Sequence, residues 1–295
     1  MPRITVPPGV EGIVELVELP DPAWDDRWGR IVVADDLKAR LRNYMVFSLR
    51  HRAGLNPVAL PLHGLVVLSG PPGTGKTTLA GGLANQAARD LAGPLLFVDI
   101  NPHAFPSQLL GESQRSVARL FERTLPDLAR RGFPTVVLLD EVEAMAVSRT
   151  GASLETNPVD VHRATDAVLA GVDQVARSCP NVTFVATTNH RAGVDAAFLS
   201  RADLIEELGY PGAVAIGAIL ADTLGELTSA AMEPGALASL AAACAGARLD
   251  ARQVRKLVLR AVCDRHDLAL DPSRITLADL AATLEADRSL PEPAV

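Results

Sequence analysis

Apolar and polar positions divide the chain into two regions of different period. In the first, short apolar runs alternate with segments of helical spacing. "LVVLS" ends at Ser69, "LLFVDI" at Ile100, "TVVLLD" at Asp140 and "VTFVATT" at Thr188. A fifth run, "ADLIEEL", ends at Leu208 and is the weakest, because acids interrupt it. Runs apolar at nearly every position, rather than at every second one, suit strands buried on both faces. The helical segments between them supply the crossovers that parallel strands need. The pattern predicts an α/β fold with a five-stranded parallel sheet. "DDLKARLRNYMVFSLRHRA", Asp35 to Ala53, sets apolar residues at helical spacing behind an Asp pair, and predicts a helix ahead of the first strand.

After "GYPG", Gly209 to Gly212, the strand-like runs stop and Ala and Leu dominate at helical spacing to about Leu290. The change predicts a small α-helical domain. Three regions are therefore expected. Residues 1–22, rich in proline and acids, form a tail or a short extended arm. Residues 23–210 form the α/β domain. Residues 211–295 form the helical domain and a C-terminal tail.

Candidate chemistry lies at the ends of the apolar runs. "GPPGTGKTT" supplies Gly70, Pro71, Pro72, Gly73, Thr74, Gly75, Lys76, Thr77 and Thr78, and fits G-x-x-x-x-G-K-[ST]. Its glycines let backbone N–H groups approach phosphates, and the following helix turns its positive end to the anion. Lys76 is expected at the β- and γ-phosphates and Thr77 on Mg²⁺. The flanking strand and helix are the context that this motif requires. "VVLLDE" delivers Asp140 to the sheet's carboxyl edge, placed to hold Mg²⁺ through water, and Glu141, placed to polarise an attacking water. Asn189, closing "ATTN", either orients that water, contacts the γ-phosphate, or simply forms a turn. ATP and Mg²⁺ are the expected ligands.

Composition narrows the class. Hydrophobic residues make up 48% of the 295 positions, enough for a large core, while aromatics are only 4%, which argues against base-stacking platforms. The net charge of −7 gives no general attraction to nucleic acid or anionic lipid. Cys179, Cys244 and Cys263 stand far apart in no metal-binding spacing, which fits a reducing cytoplasm. The N-terminus lacks the apolar core of a signal peptide, and no apolar run approaches membrane-spanning length. Only Lys38, Lys76 and Lys256 are lysine among 28 basic residues, so a chain that favours arginine keeps a compact ammonium in the phosphate loop.

In this order, the loop at Gly70, Asp140-Glu141, Asn189 and a helical C-terminal domain resemble an AAA+ ATPase, a P-loop NTPase domain with a lid. "VDINPHAFPSQLLGES", "LLDEVEAM", "NPVDVHRATDAVLAGVDQV" and "DAAFLSRADL" resemble the pachytene-checkpoint type more narrowly, over about Trp24 to Leu259. The resemblance implies a homohexameric ring that engages and partially unfolds a HORMA-domain protein through a central pore. It implies an arginine finger at Arg201 reaching the neighbour's γ-phosphate, and a lid sensor at Arg252, with Arg255 competing for that role. Ile31 and Val32 match the adenine pocket. Leu109 and Leu110 match the pore loop that grips substrate, where the family uses an aromatic. The loop Ser148 to Asp160 matches a second pore-facing segment. With so little chain before Trp24, recognition is expected from the ring itself or from a separate adaptor. The arginine-rich, short form resembles bacterial members that act in anti-phage signalling by disassembling HORMA-activated complexes. A nucleotide-regulated DNA-associated or clamp-loader-like module is the alternative; the acidic charge and the lack of a basic stripe weigh against it.

Overall fold

A computed structural model describes residues 12–101, 112–148 and 158–289. The pore-loop candidates Leu109 and Leu110, and most of the loop between Ser148 and Asp160, lie outside these residues. The chain forms two compact units. One holds residues up to Gly70 and Lys76–Leu208; the other holds Pro71–Gly75 and the residues from Gly209 onward.

The first unit is built on six strands: β1 (Ile13–Leu19), β2 (Leu65–Ser69), β3 (Leu95–Ile100), β4 (Thr135–Leu139), β5 (Val182–Thr188) and β6 (Leu204–Glu207). Their order is β1-β3-β4-β5-β2-β6. The five runs expected as parallel strands are β2 to β6, and they pair in parallel. β1 is an addition, antiparallel to β3 at the sheet edge. It lies in the segment read as a tail or extended arm.

Two layers of helices cover the sheet, and strand alternation feeds both. On one face Val66 and Leu68 of β2, Leu95 and Phe97 of β3, and Val136 and Leu138 of β4 share a core with helices α1 (Asp25–Gly29), α2 (Asp35–His51) and α3 (Lys76–Leu91). On the other, Val67, Val98 and Leu139 meet α4 (Glu112–Arg119), α5 (Leu125–Ala129) and α6 (Pro158–Ser178). This double burial is why those runs are apolar throughout. Between α4 and α5 the helix widens into a π turn, Leu120–Thr124. Pro126 follows it and cannot donate the ordinary helical bond, which favours such a local rearrangement. A short helix, α7 (Ala196–Leu199), precedes β6, its start capped by Asp195, which accepts from Ala197 N.

The second unit is helical: α8 (Ala213–Gly225), α9 (Pro234–Gly246), α10 (Ala251–Cys263), α11 (His266–Leu270) and α12 (Leu277–Ser289). Ile216, Leu220, Cys244, Val254, Leu257, Leu268 and Leu280 are fully or almost fully buried in it. Asp250 opens α10 with a capping box: its carboxylate accepts from Gln253 N, while the Gln253 side chain accepts from Asp250 N. Among the described residues, no helix is long and apolar enough to cross a membrane.

Candidate functional site

Parallel register brings three strand ends to one edge. Ser69 of β2 lies beside Thr188 of β5, and Leu139 of β4 beside Ala186. The residues that follow each strand, Gly70, Asp140 and Asn189, therefore emerge together, where α/β folds place ligands. Gly70 donates to the Thr188 carbonyl at 3.2 Å. It must be glycine, because its φ is +144° and a Cβ would lie 2.0 Å from the Leu208 carbonyl oxygen. Gly73 and Gly75 also adopt positive φ, and Thr74 closes the loop by donating to the Pro71 carbonyl at 2.9 Å.

The next contacts tie the charged residues into two short chains. Lys76 is 6% exposed; its Nζ donates to the Gly70 carbonyl and to Asn189 Oδ1, each at 2.8 Å. Asn189 Nδ2 in turn donates to Glu141 Oε1 at 3.1 Å. One amide thus sits between the ammonium and the carboxylate. Thr77 Oγ1 donates to Asp140 Oδ1 at 2.8 Å. Thr187, one strand over, donates to the same oxygen at 2.5 Å and accepts from Glu141 N at 3.0 Å. Glu141 itself has φ +54° and ψ +53°, a left-handed conformation uncommon for a residue with a side chain. Such strain, held by neighbours, is characteristic of functional sites.

The Thr77 hydroxyl and the Asp140 carboxylate oxygen form a hard donor set, and the buried Lys76 ammonium is held at Gly70. This set fits a Mg²⁺–polyphosphate group. Electrostatics around it are strained by one further acid. Asp99, near the end of β3, lies on the same sheet face as Val136 and Leu138. Its pKa is raised from 3.8 to about 6, first by burial, then by the charges of Asp140 and Glu15, with Arg27 opposing.

Arg201, Ile31 and Val32 have contacts of their own within the α/β unit, and Arg252 and Arg255 belong to the helical unit. Arg201 forks onto Asp173 of α6, Nε to Oδ1 at 2.7 Å and Nη2 to Oδ2 at 2.9 Å, and Nη1 donates to the Ala197 carbonyl. The fork holds the Asp173 carboxyl below its ordinary range. Arg252 and Arg255 are both exposed on α10 of the helical unit. Ile31 and Val32 lie half-buried between α1 and α2, and Ile31 packs on the α3 face of the sheet. Thr187, Asp99 and Glu143, whose Oε1 accepts from Asn189 N at 3.0 Å, were not anticipated from sequence. Thr187 was visible only as a β-former in an apolar run; its hydroxyl acquires meaning from register with Asp140.

A model of the ATPase family associated with various cellular activities (AAA) matches residues 66–210. The chain is 39% identical over 287 residues to CD-NTase-associated protein 6 of Pseudomonas aeruginosa, covering 95% of this chain and 93% of that protein. It is 34% identical over 206 residues to the pachytene checkpoint protein 2 homolog of Danio rerio, but spans only 48% of that protein. Among solved structures it resembles C. elegans PCH-2, with a TM-score of 0.70 and 25% identity over 93% of this chain and 74% of the other. It shares its fold with a chain of the E. coli MS115-1 HORMA:CdnC:Trip13 complex, with a TM-score of 0.80 at 20% identity, covering 98% and 100%.

Proposed function

This chain belongs to the AAA family of ATPases, in the branch of the pachytene checkpoint proteins and their bacterial relatives, and on that premise we propose that it couples ATP hydrolysis to remodelling a HORMA-domain protein. The observation that carries the proposal is likeness along almost the full length of CD-NTase-associated protein 6. The fold shared with a HORMA:CdnC:Trip13 complex supports it. The reading extends to a homohexamer whose central pore engages the partner, and to the disassembly or resetting of a signalling complex in anti-phage defence.

Each residue of the site then has a task. The glycine-rich loop and Lys76 bind the phosphates. Thr77 and Asp140 hold Mg²⁺, with Thr187 fixing the Asp140 carboxylate. The ion supplies positive charge against the phosphates when bound. Glu141 polarises the attacking water, and Asn189 holds Glu141 and Lys76 at a set separation. Arg201 acts on the nucleotide of the neighbouring subunit, and the helical unit serves as the lid, with Arg252 or Arg255 as its sensor. Ile31 and Val32 border the adenine. Leu109 and Leu110 grip the threaded chain through apolar packing rather than an aromatic face.

A substrate trap tests this reading. Glu141→Gln keeps the shape of the site and removes the carboxylate, so it binds ATP and hydrolyses it slowly. Affinity capture from the native host with ATP and Mg²⁺, read by mass spectrometry, is expected to recover a HORMA-domain protein. The partner should disappear when ATP is omitted. Recovery of DNA-associated proteins alone would overturn the remodelling reading and leave the ATPase.

A further inference from the structure

Beyond Glu141 the chain enters a short 3₁₀ turn, Val142–Ala144, which carries Glu143 across to the end of β5. There Glu143 Oε1 accepts from Asn189 N at 3.0 Å. The same peptide group is held at its other pole, where the Thr188 carbonyl accepts from Gly70 N at 3.2 Å. One peptide unit is therefore fixed between Gly70, where the phosphate loop starts, and the Glu143 carboxylate. Its orientation aims the Asn189 side chain, which accepts from Lys76 Nζ at 2.8 Å and donates to Glu141 Oε1 at 3.1 Å.

This bond is not needed to hold the two segments together. Farther along, Ser148 N donates to the Gly193 carbonyl and Asp195 N to the Ala146 carbonyl, each at 2.8 Å, and Val147 bridges Val194. Val142 and Val194 are buried in the core beside them. A carboxylate is also a costly choice for a purely structural task. Among the described residues Glu143 Oε2 is shut off from solvent and has no hydrogen-bond partner. A buried carboxylate oxygen without a donor lowers stability. Such a local cost, next to the groups of the hydrolysis site, is expected where function rather than folding sets the residue.

We propose that Glu143 is a positioning residue for ATP hydrolysis: through the Asn189 N–H it fixes the peptide that sets the Asn189 amide between Lys76 and Glu141. The carboxylate gives that N–H a charge-assisted bond, stronger than a neutral acceptor provides. Without it the peptide keeps its bond to Gly70 and rocks about it, and the amide loses its aim at Glu141. Glu143 acts through Asn189 alone. The proposal rests on the roles proposed for Glu141 and Asn189.

The test uses the full-length protein. In steady-state ATP hydrolysis at saturating Mg²⁺, Glu143→Ala should lower kcat by about tenfold and change KM for ATP by less than about twofold. Glu143→Gln keeps an acceptor at the same reach and should stay within about threefold of the parent kcat. Glu143→Asp keeps the charge but falls a methylene short, and should resemble alanine. In an Asn189→Ala background, Glu143→Ala should lower kcat by less than about twofold further, because the side chain it positions is gone. Without nucleotide, hydrogen exchange at the Asn189 amide, read by mass spectrometry, should speed up by about tenfold or more in Glu143→Ala. If Glu143→Ala does not fold, Glu143→Asp decides by the same readouts. An unchanged kcat, a loss in Glu143→Gln equal to that in Glu143→Ala, or the full loss recurring in the Asn189→Ala background would each overturn the proposal. If instead Glu141→Gln hydrolyses ATP as fast as the parent, the reading of the site itself fails. Exchange at the Asn189 amide then still decides whether Glu143 fixes that peptide.

Discussion

Asn189 accepts from Lys76 and donates to Glu141, so one amide sets how far the ammonium stands from the carboxylate. Alanine leaves the strand intact and frees both. With Glu141 polarising water, Asn189→Ala should lower kcat for ATP hydrolysis by about 10²-fold and change KM for ATP far less. Steady-state kinetics at saturating Mg²⁺ check this; an unchanged kcat would reduce Asn189 to a turn residue. Asp99 gives a second prediction, of opposite character. Its pKa is 3.8 when unfolded and about 6 when folded, so between those values the folded chain keeps a proton that the unfolded chain has lost. Raising pH through that window weakens folding, and above about 6 the full penalty is present. Asp99→Asn should therefore raise Tm at pH 8, in the absence of nucleotide and Mg²⁺, with the gain shrinking as pH falls through 6 toward 4. Equal gains at pH 8 and pH 4.5 would show that the effect is packing, not charge. Asp140, Glu141 and Asn189 were legible in the sequence because each stands at the end of an apolar run. Asp99 and Thr187 lie inside such runs, and only register shows that they face the same site.

Elements were legible in proportion to how completely they are buried. β2, β3, β4 and β5 are covered on both faces, so their sequences are apolar almost throughout. β1 is an edge strand in which only Leu16 and Leu19 are buried, and its glutamates mask the pattern. The phosphate loop was legible because its glycines answer a backbone demand. The π turn was not, since it reflects how α4 continues into a proline-bearing segment rather than any side-chain period. In the helical unit the Ala-rich sequence supports helices with little local specification, and caps carry more of it. Asp250 satisfies an N-terminal N–H of α10, the helix that bears Arg252 and Arg255. Asp250→Ala should cost about 1 kcal/mol. A shift in the urea midpoint of the helical unit at constant slope would register it; no shift would mean that water replaces the cap without loss.

At the scale of the whole molecule, the hydrogen bonds described at the site bring one cation, Lys76, to Gly70 and Asn189. Arg201 is the candidate finger, and in this chain its guanidinium is forked onto Asp173 and donates to the Ala197 carbonyl. The role of a finger for a neighbour rests on the family resemblance alone; within one chain Arg201 is an ion-paired residue before the last strand. A finger supplied in trans is worth about 10³–10⁵ in rate, so Arg201→Ala and Glu141→Gln should each abolish nearly all hydrolysis when assembled alone. Mixed before assembly, they separate trans from cis action. A site formed by the Glu141 of an Arg201→Ala subunit and the Arg201 of a Glu141→Gln neighbour is complete. Random assembly of equal amounts makes about one quarter of the sites complete, so the mixture should recover up to about that fraction of the rate if sites fire independently. If Arg201 serves its own subunit, no mixed ring contains a complete site, and the mixture stays as inactive as its parts. Recovery that rises and falls with the mixing ratio, greatest near equal amounts, would assign Arg201 to the neighbour's nucleotide.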